Sequence, residues 1–130
     1  MAPDAWTPRI AAALLRRGAM VHAMSAALTL GGIAAVVFGF PGMWPVVVVG
    51  LVEFWLAARV AIDADLFAAL GEDDLARFDE AMRRLGLMPE SKAGRPMDDR
   101  IRGALRLLKL QGAMLLLQIV LAFIGMMLLR

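Results

Sequence analysis

The chain has 130 residues, 61% hydrophobic and 20% charged, with a formal net charge of +2 and no cysteine. A soluble domain of this size is near half apolar, so the surplus points to lipid as the solvent and not to a larger core. With no cysteine, no tyrosine and a single histidine, disulfides, thiolate metal sites and most catalytic sets are excluded, no cofactor is implied, and the small net charge argues against a nucleic-acid partner.

The first element is a helical lead-in. Thr7 suits an N-cap and Pro8 the first helical position. Ile10 and Leu14 with Arg9, Arg16 and Arg17 give it amphipathic character, and Trp6 stands where an interfacial anchor belongs. It leads into "GAMVHAMSAALTLGGIAAVVFGF", Gly18 to Phe40, which contains no Asp, Glu, Lys or Arg. That run exceeds the apolar region of a cleavable signal peptide, and no clear small-residue cleavage site precedes Pro41, so it reads as a retained span.

"PGMWP", Pro41 to Pro45, is an uncharged turn that predicts a tight antiparallel hairpin. The second span, Met43 to Ile62, carries Glu53 and Arg59. Its ten Val, Leu, Ile and Phe residues contribute roughly −0.3 to −0.6 kcal/mol each, against about +2.5 to +3.5 for a central charge. Insertion wins narrowly, since Arg59 near the end can snorkel.

A cytoplasmic helical hairpin follows over 71–106. Leu75, Phe78, Met82 and Leu85 recur at helical spacing, Arg83 and Arg84 close that helix, and Gly86 is its expected stop. Four apolar positions cannot hold so short a helix in water. It is therefore expected to dock on the following basic helix or on another protein. Pro89 to Pro96 reads as a loop. A second helix, capped by Asp98 or Asp99, then runs into the third span, 107–129, placing Arg100, Arg102, Arg106 and Lys109 at anionic lipid head groups.

These elements specify an all-α polytopic membrane protein organised as a single membrane domain. Its parts are a lead-in and first transmembrane helix over 7–40, a second over 43–70 with a cytoplasmic extension, the cytoplasmic segment 71–106, and a C-terminal third span over 107–129. Of the 14 Lys and Arg residues, Arg130 alone lies beyond the third span. The positive-inside rule thus predicts a bacterial inner-membrane protein with a cytoplasmic N-terminus and a periplasmic C-terminus.

Two patterns mark helix faces. Ala19, Ala23, Ala27, Gly31, Ala35 and Gly39 recur every four residues, the small-xxx-small spacing that lets helices approach closely in lipid. At about 40° of advance per step the stripe wraps half-way round its helix, more than one neighbour can cover. On other faces lie His22, Ser25 and Thr29 in the first span, Glu53 in the second, and Gln111 and Gln118 in the third. Folding the hairpin about Pro41–Gly42 sets Glu53 level with Thr29, with Gln118 at nearly the same height. These six residues form the expected intramembrane polar cluster, and a carboxylate at that depth is the first candidate for function. Arg59 is expected to pair with Asp63 at i+4 as an interfacial anchor. His22 has no second histidine to share a metal and reads as a packing residue, as do the ten methionines.

The layout of an amphipathic lead-in, three spans and a glutamate in the second span is similar to that of the small bacterial diacylglycerol kinases. Their signature carries a second Glu and an Asn shortly after the first. Here Phe54, Trp55, Leu56 and Ala57 follow Glu53, and the resemblance stops at the layout.

The expected function is accordingly that of a small inner-membrane protein working as a homo-oligomer or as an accessory subunit of a membrane complex. Its partners are the bilayer and either itself or another membrane protein. The alternative is a proton- or cation-coupled transporter or channel in which Glu53 titrates. One carboxylate without a paired acid, metal ligands or a nucleophile gives little support to an enzyme.

Overall fold

Hydrophobic helices with no free backbone donors are the one open structure that satisfies its own polar groups in lipid, and the chain is built from them. A computed structural model describes residues 6–69, 74–87 and 97–129; the side chains of Trp6, Thr7 and Leu75 are outside that description. The expected loop at Pro89–Pro96, the start of the cytoplasmic segment at 71–73 and Arg130 lie outside the described residues. The helices are α1 (Trp6–Arg16), α2 (Gly18–Val37), α3 (Trp44–Ala69), α4 (Leu75–Arg84) and α5 (Met97–Met127), with a 3-10 turn at Pro41–Met43. There is no strand among the described residues. Three stretches are long and apolar enough to cross a membrane: Pro8–Val37, Pro41–Ala69 and Met97–Met127.

Two glycines stop helices by the same device. At the end of α2, Gly39 has φ 95°, its N–H donates to the Val36 carbonyl, and the Phe40 N–H donates to that of Ala35, both at 3.0 Å. At the end of α4, Gly86 has φ 69°; Gly86 N–H reaches Arg83 O at 3.0 Å and Leu87 N–H reaches Met82 O at 2.9 Å. Both are Schellman motifs, in which a left-handed residue lets the chain cap its own carbonyls. Gly39 is thus a stop signal and not the last member of the small stripe.

Gly39 is also the pivot of the hairpin. Because the 3-10 turn at Pro41–Met43 runs straight into α3, the helical rise of the second arm begins two residues beyond Gly39. The reversal therefore falls earlier than Pro41–Gly42, and the facing pairs shift by about one turn. A Cβ at Gly32 would lie 3.3 Å from Val46, one at Gly18 would lie 3.2 Å from Val60, and Thr29 faces Gly50. Helix α5 then runs antiparallel to α3 and parallel to α2, as the contacts Gln111–Glu53, Gln118–Val46 and Gln111–Gly18 require.

All three long helices bury residues at a seven-residue repeat. In α2 the buried positions are Gly18, Ser25 and Gly32. In α3, Val46, Glu53, Val60 and Phe67 follow one line and Gly50 and Ala64 another. In α5, Met97, Ala104, Gln111, Gln118 and Gly125 are joined by Ile101, Leu115 and Ala122. A repeat of seven residues gives a seam of 3.5 residues per turn and a left-handed bundle.

The lead-in is part of that bundle. Arg17 keeps helical dihedrals between α1 and α2 (φ −62°, ψ −23°), and α1 packs on α3 and α5. Ala11, Ala12 and Leu15 enter an apolar core with Val60, Ala64, Phe67, Met97, Ile101 and Ala104. Ile10 and Leu14, the apolar residues expected to define the helix's face, are 57% and 47% exposed instead. They point outward because the neighbouring small residues permit the closer approach.

Candidate functional site

The seven-residue seams bring polar side chains to the bundle centre in two layers. In the layer nearer α1, Glu53 is 1% exposed. Its Oε2 lies 2.9 Å from His22 Nδ1, and its Oε1 accepts a 2.7 Å bond from Gln111 Nε2. The same Gln111 nitrogen donates to the Gly18 carbonyl at 2.9 Å. Gly18 makes that possible, since a Cβ there would come within 2.8 Å of Gln111 Oε1. Gln111 Oε1 is the one buried side-chain polar atom without a hydrogen-bond partner among the described residues.

In the second layer Gln118 is 0% exposed and serves as the hub. The Ser25 hydroxyl donates to its Oε1 at 2.7 Å. Its Nε2 donates to Thr29 Oγ1 at 2.9 Å and to the Val46 carbonyl at 3.1 Å, with the Ser25 carbonyl at 3.4 Å. Thr29 in turn donates to the Ser25 carbonyl at 2.8 Å. Interhelical bonds of this kind hold helices together where the hydrophobic effect offers no preference between lipid and leucine.

The six residues read from the sequence are thus brought together, but in two groups. Glu53 does not meet Thr29 or Gln118; the earlier pivot at Gly39 places it against His22 and Gln111, and hands Thr29 and Gln118 to Gly50 and Val46. His22, read as a packing residue, is hydrogen-bonded to the carboxylate. Sequence reasoning did not single out Gly18 or the Val46 carbonyl as site components. The signal was present as small residues spaced by seven in α2.

The stripe spaced by four lies elsewhere. Ala19, Ala23, Ala27 and Gly31 are exposed, Ala35 is half-buried, and a Cβ on Gly31 would meet nothing within 4 Å. The guanidinium carbon of Arg59 lies 5.6 Å from the ring centroid of Trp55, one turn earlier on α3. Helical side chains lean toward the N-terminus, which favours the partner four residues earlier.

Beside the His22–Glu53 pair, α1, α2 and α3 enclose a lateral groove of about 450 Å³. Ala57, Ala58, Ala61 and Ala64 line it on the α3 side, His22 stands at its inner end, and Arg16 and Asp65 also line it. The Phe54 ring rests against His22, with centroids 5.5 Å apart. Among the described residues no group of three His, Asp or Glu side chains could hold a metal ion.

Near the start of α5, an ion pair ties α4 to it. Arg100 Nη2 donates to both Asp79 oxygens at 2.8 and 2.7 Å, and the two side chains are only 9% and 8% exposed. Arg100 is thereby nearly buried, whereas Arg102, Arg106 and Lys109 remain exposed. Phe78 and Met82 are half-buried, but Leu85 is 70% exposed and adds nothing to the docked face. Glu80 sits between Arg83 (2.6 Å) and Arg84 (3.1 Å). Its hydrogen bond to Arg84, and then the Arg83 charge, hold its carboxyl below the usual value of 4.5.

No protein-family model, curated protein or solved structure matches the chain.

Proposed function

We propose that the chain is a small bacterial inner-membrane protein that works in an assembly, as a homo-oligomer or as an accessory subunit of a larger membrane complex. The observation that carries this is the outward-facing line Ala23, Ala27 and Gly31 on α2. Small residues gain nothing by facing lipid; their use is to let a second helix approach closely. The same helix has the surface to offer. Of the 20 residues of α2, the buried ones are Gly18, Ser25 and Gly32. The proposed orientation places the N-terminus and α4 in the cytoplasm, with Arg102, Arg106 and Lys109 at anionic head groups.

The absence of cysteine allows a direct test. Single-cysteine variants at Ala27, Gly31 and the exposed Leu116 of α5 are oxidised in native membranes. Cross-linked pairs at Ala27 and Gly31 but not at Leu116 support a homo-oligomer, and a larger mixed product at those two positions supports an accessory subunit. Equal cross-linking at all three sites, or none, overturns the reading.

A second reading is favoured by one observation: the buried Glu53 shares a hydrogen with His22, whose side chain is 34% exposed beside the groove. In this reading Glu53 is the titrating group of proton- or cation-coupled transport. Flux into liposomes by the Glu53→Gln variant separates the two, since unchanged flux leaves the carboxylate a packing role.

A further inference from the structure

From the groove beside His22 we infer a binding site for one phospholipid with a zwitterionic, primary-amine head group. This does not depend on how α2 is used in an assembly. The first argument is hydrogen-bond bookkeeping. Gln111 Nε2 has two hydrogens and two acceptors, the Gly18 carbonyl and Glu53 Oε1. Glu53 Oε1 is therefore a pure acceptor, and the hydrogen between Glu53 and His22 lies on the Oε2–Nδ1 line.

A net charge inside the bilayer is costly. The pair is neutral either as carboxylate with imidazolium or as carboxylic acid with neutral imidazole. In the second form Nδ1 is the acceptor, so the ring hydrogen sits on Nε2; in the first, both nitrogens carry one. Both neutral forms thus put an N–H on Nε2. Among the described residues that N–H has no acceptor, and the ring lines the groove. An N–H that faces the groove without a protein acceptor is satisfied by a ligand that brings one.

Depth and charge identify the ligand. His22 lies six residues, about 9 Å of helical rise, from Arg16. A head-group layer is roughly 5–8 Å thick on each side of the hydrocarbon. A ligand with its charged head at Arg16 therefore presents its ester carbonyl near His22 Nε2 and lays an acyl chain over the alanines of α3. The groove is lined by one cation and one anion, Arg16 and Asp65, and neither takes part in an ion pair among the described residues. Arg16 complements a phosphate, and Asp65 complements an ammonium with hydrogens to donate.

The test uses the full chain in nanodiscs made from equal parts of phosphatidylethanolamine, phosphatidylglycerol and phosphatidylcholine. Lipid retained after mild extraction is weighed by native mass spectrometry. One phosphatidylethanolamine per chain is expected. Ala61→Leu, which fills the groove, should lose it, and Asp65→Asn should retain the three lipids equally. The single histidine gives an independent readout: nitrogen-15 at His22 Nε2 should show transfer to carbonyl-13C-labelled lipid ester in the wild type but not in Ala61→Leu. Retention of phosphatidylglycerol as strongly as phosphatidylethanolamine, retention unaffected by Ala61→Leu, a non-phospholipid in the groove, or no transfer from His22 would each overturn the proposal.

Discussion

Gly50 on α3 stands against Thr29 on α2 so closely that a Cβ would collide with the Thr29 hydroxyl and come within 2.7 Å of Gln118 Nε2. One missing methyl thus keeps the second polar layer intact. Gly50→Ala should lower stability by roughly 1–3 kcal/mol, the usual cost of overpacking a filled core. Gly112 on α5 is the control, because a Cβ there meets nothing within 4 Å. Gly112→Ala should be neutral or stabilise by up to about 1 kcal/mol through helix propensity. Reversible unfolding in mixed micelles compares the two, and equal effects would show that Thr29 and Gln118 can rearrange freely.

The two layers should respond differently to isosteric change. Glu53→Gln keeps an acceptor for Gln111 and supplies a donor for His22, so its cost should stay below about 1 kcal/mol. Glu53→Leu strands the Gln111 donor and the His22 ring and should cost about 2 kcal/mol or more. Gln118→Leu removes the hub of Ser25, Thr29 and Val46. Combined with Ser25→Ala, it should show clear non-additivity in a double-mutant cycle. Additive costs would mean that the Ser25–Gln118 bond contributes little.

The Asp79–Arg100 pair ties α4 to α5. Removing one partner from a nearly buried ion pair leaves the other uncompensated. Arg100→Met should therefore release residues 75–87 to protease in inside-out vesicles while the three spans stay inserted. Asp79→Leu combined with Arg100→Met should recover part of the protection. If cleavage is equally slow in Arg100→Met and the wild type, the apolar residues Phe78 and Met82 hold α4 by themselves.

Helix α4 should also depend on pH through Glu80. Its carboxyl is held below 4.5 in the folded helix by Arg84 and Arg83. The associated stabilisation is complete above the unfolded value and is lost as pH falls through the lower, folded one. Carbon-13 shifts of residues 77–84 should thus report steady helicity from neutral pH to about 5, then a decline in more acid solution. Glu80→Gln should flatten that response, and an unaltered acid transition in the variant would assign it to another group.

Much of the architecture was legible in the chain. Hydropathy marks the three spans because each residue's transfer free energy is a local property, indifferent to its neighbours in space. Gly86 was readable as a helix stop for the same reason: only its own backbone has to turn left-handed. The polar residues worth watching were also legible, since a Glu or Gln in an apolar run is costly wherever the run goes.

Which residues meet, and which side of α2 faces inward, was settled by tertiary packing. Moving the reversal from Pro41–Gly42 to Gly39 leaves hydropathy unchanged, yet it transfers Glu53 from Thr29 to His22 and Gln111. Two small-residue lines compete on α2, one spaced by four and one by seven. Composition favours the first, with Ala19, Ala23, Ala27 and Gly31. The bundle takes the second, Gly18, Ser25 and Gly32, because a spacing of seven keeps to one face of a supercoiled helix, whereas a spacing of four drifts away from it.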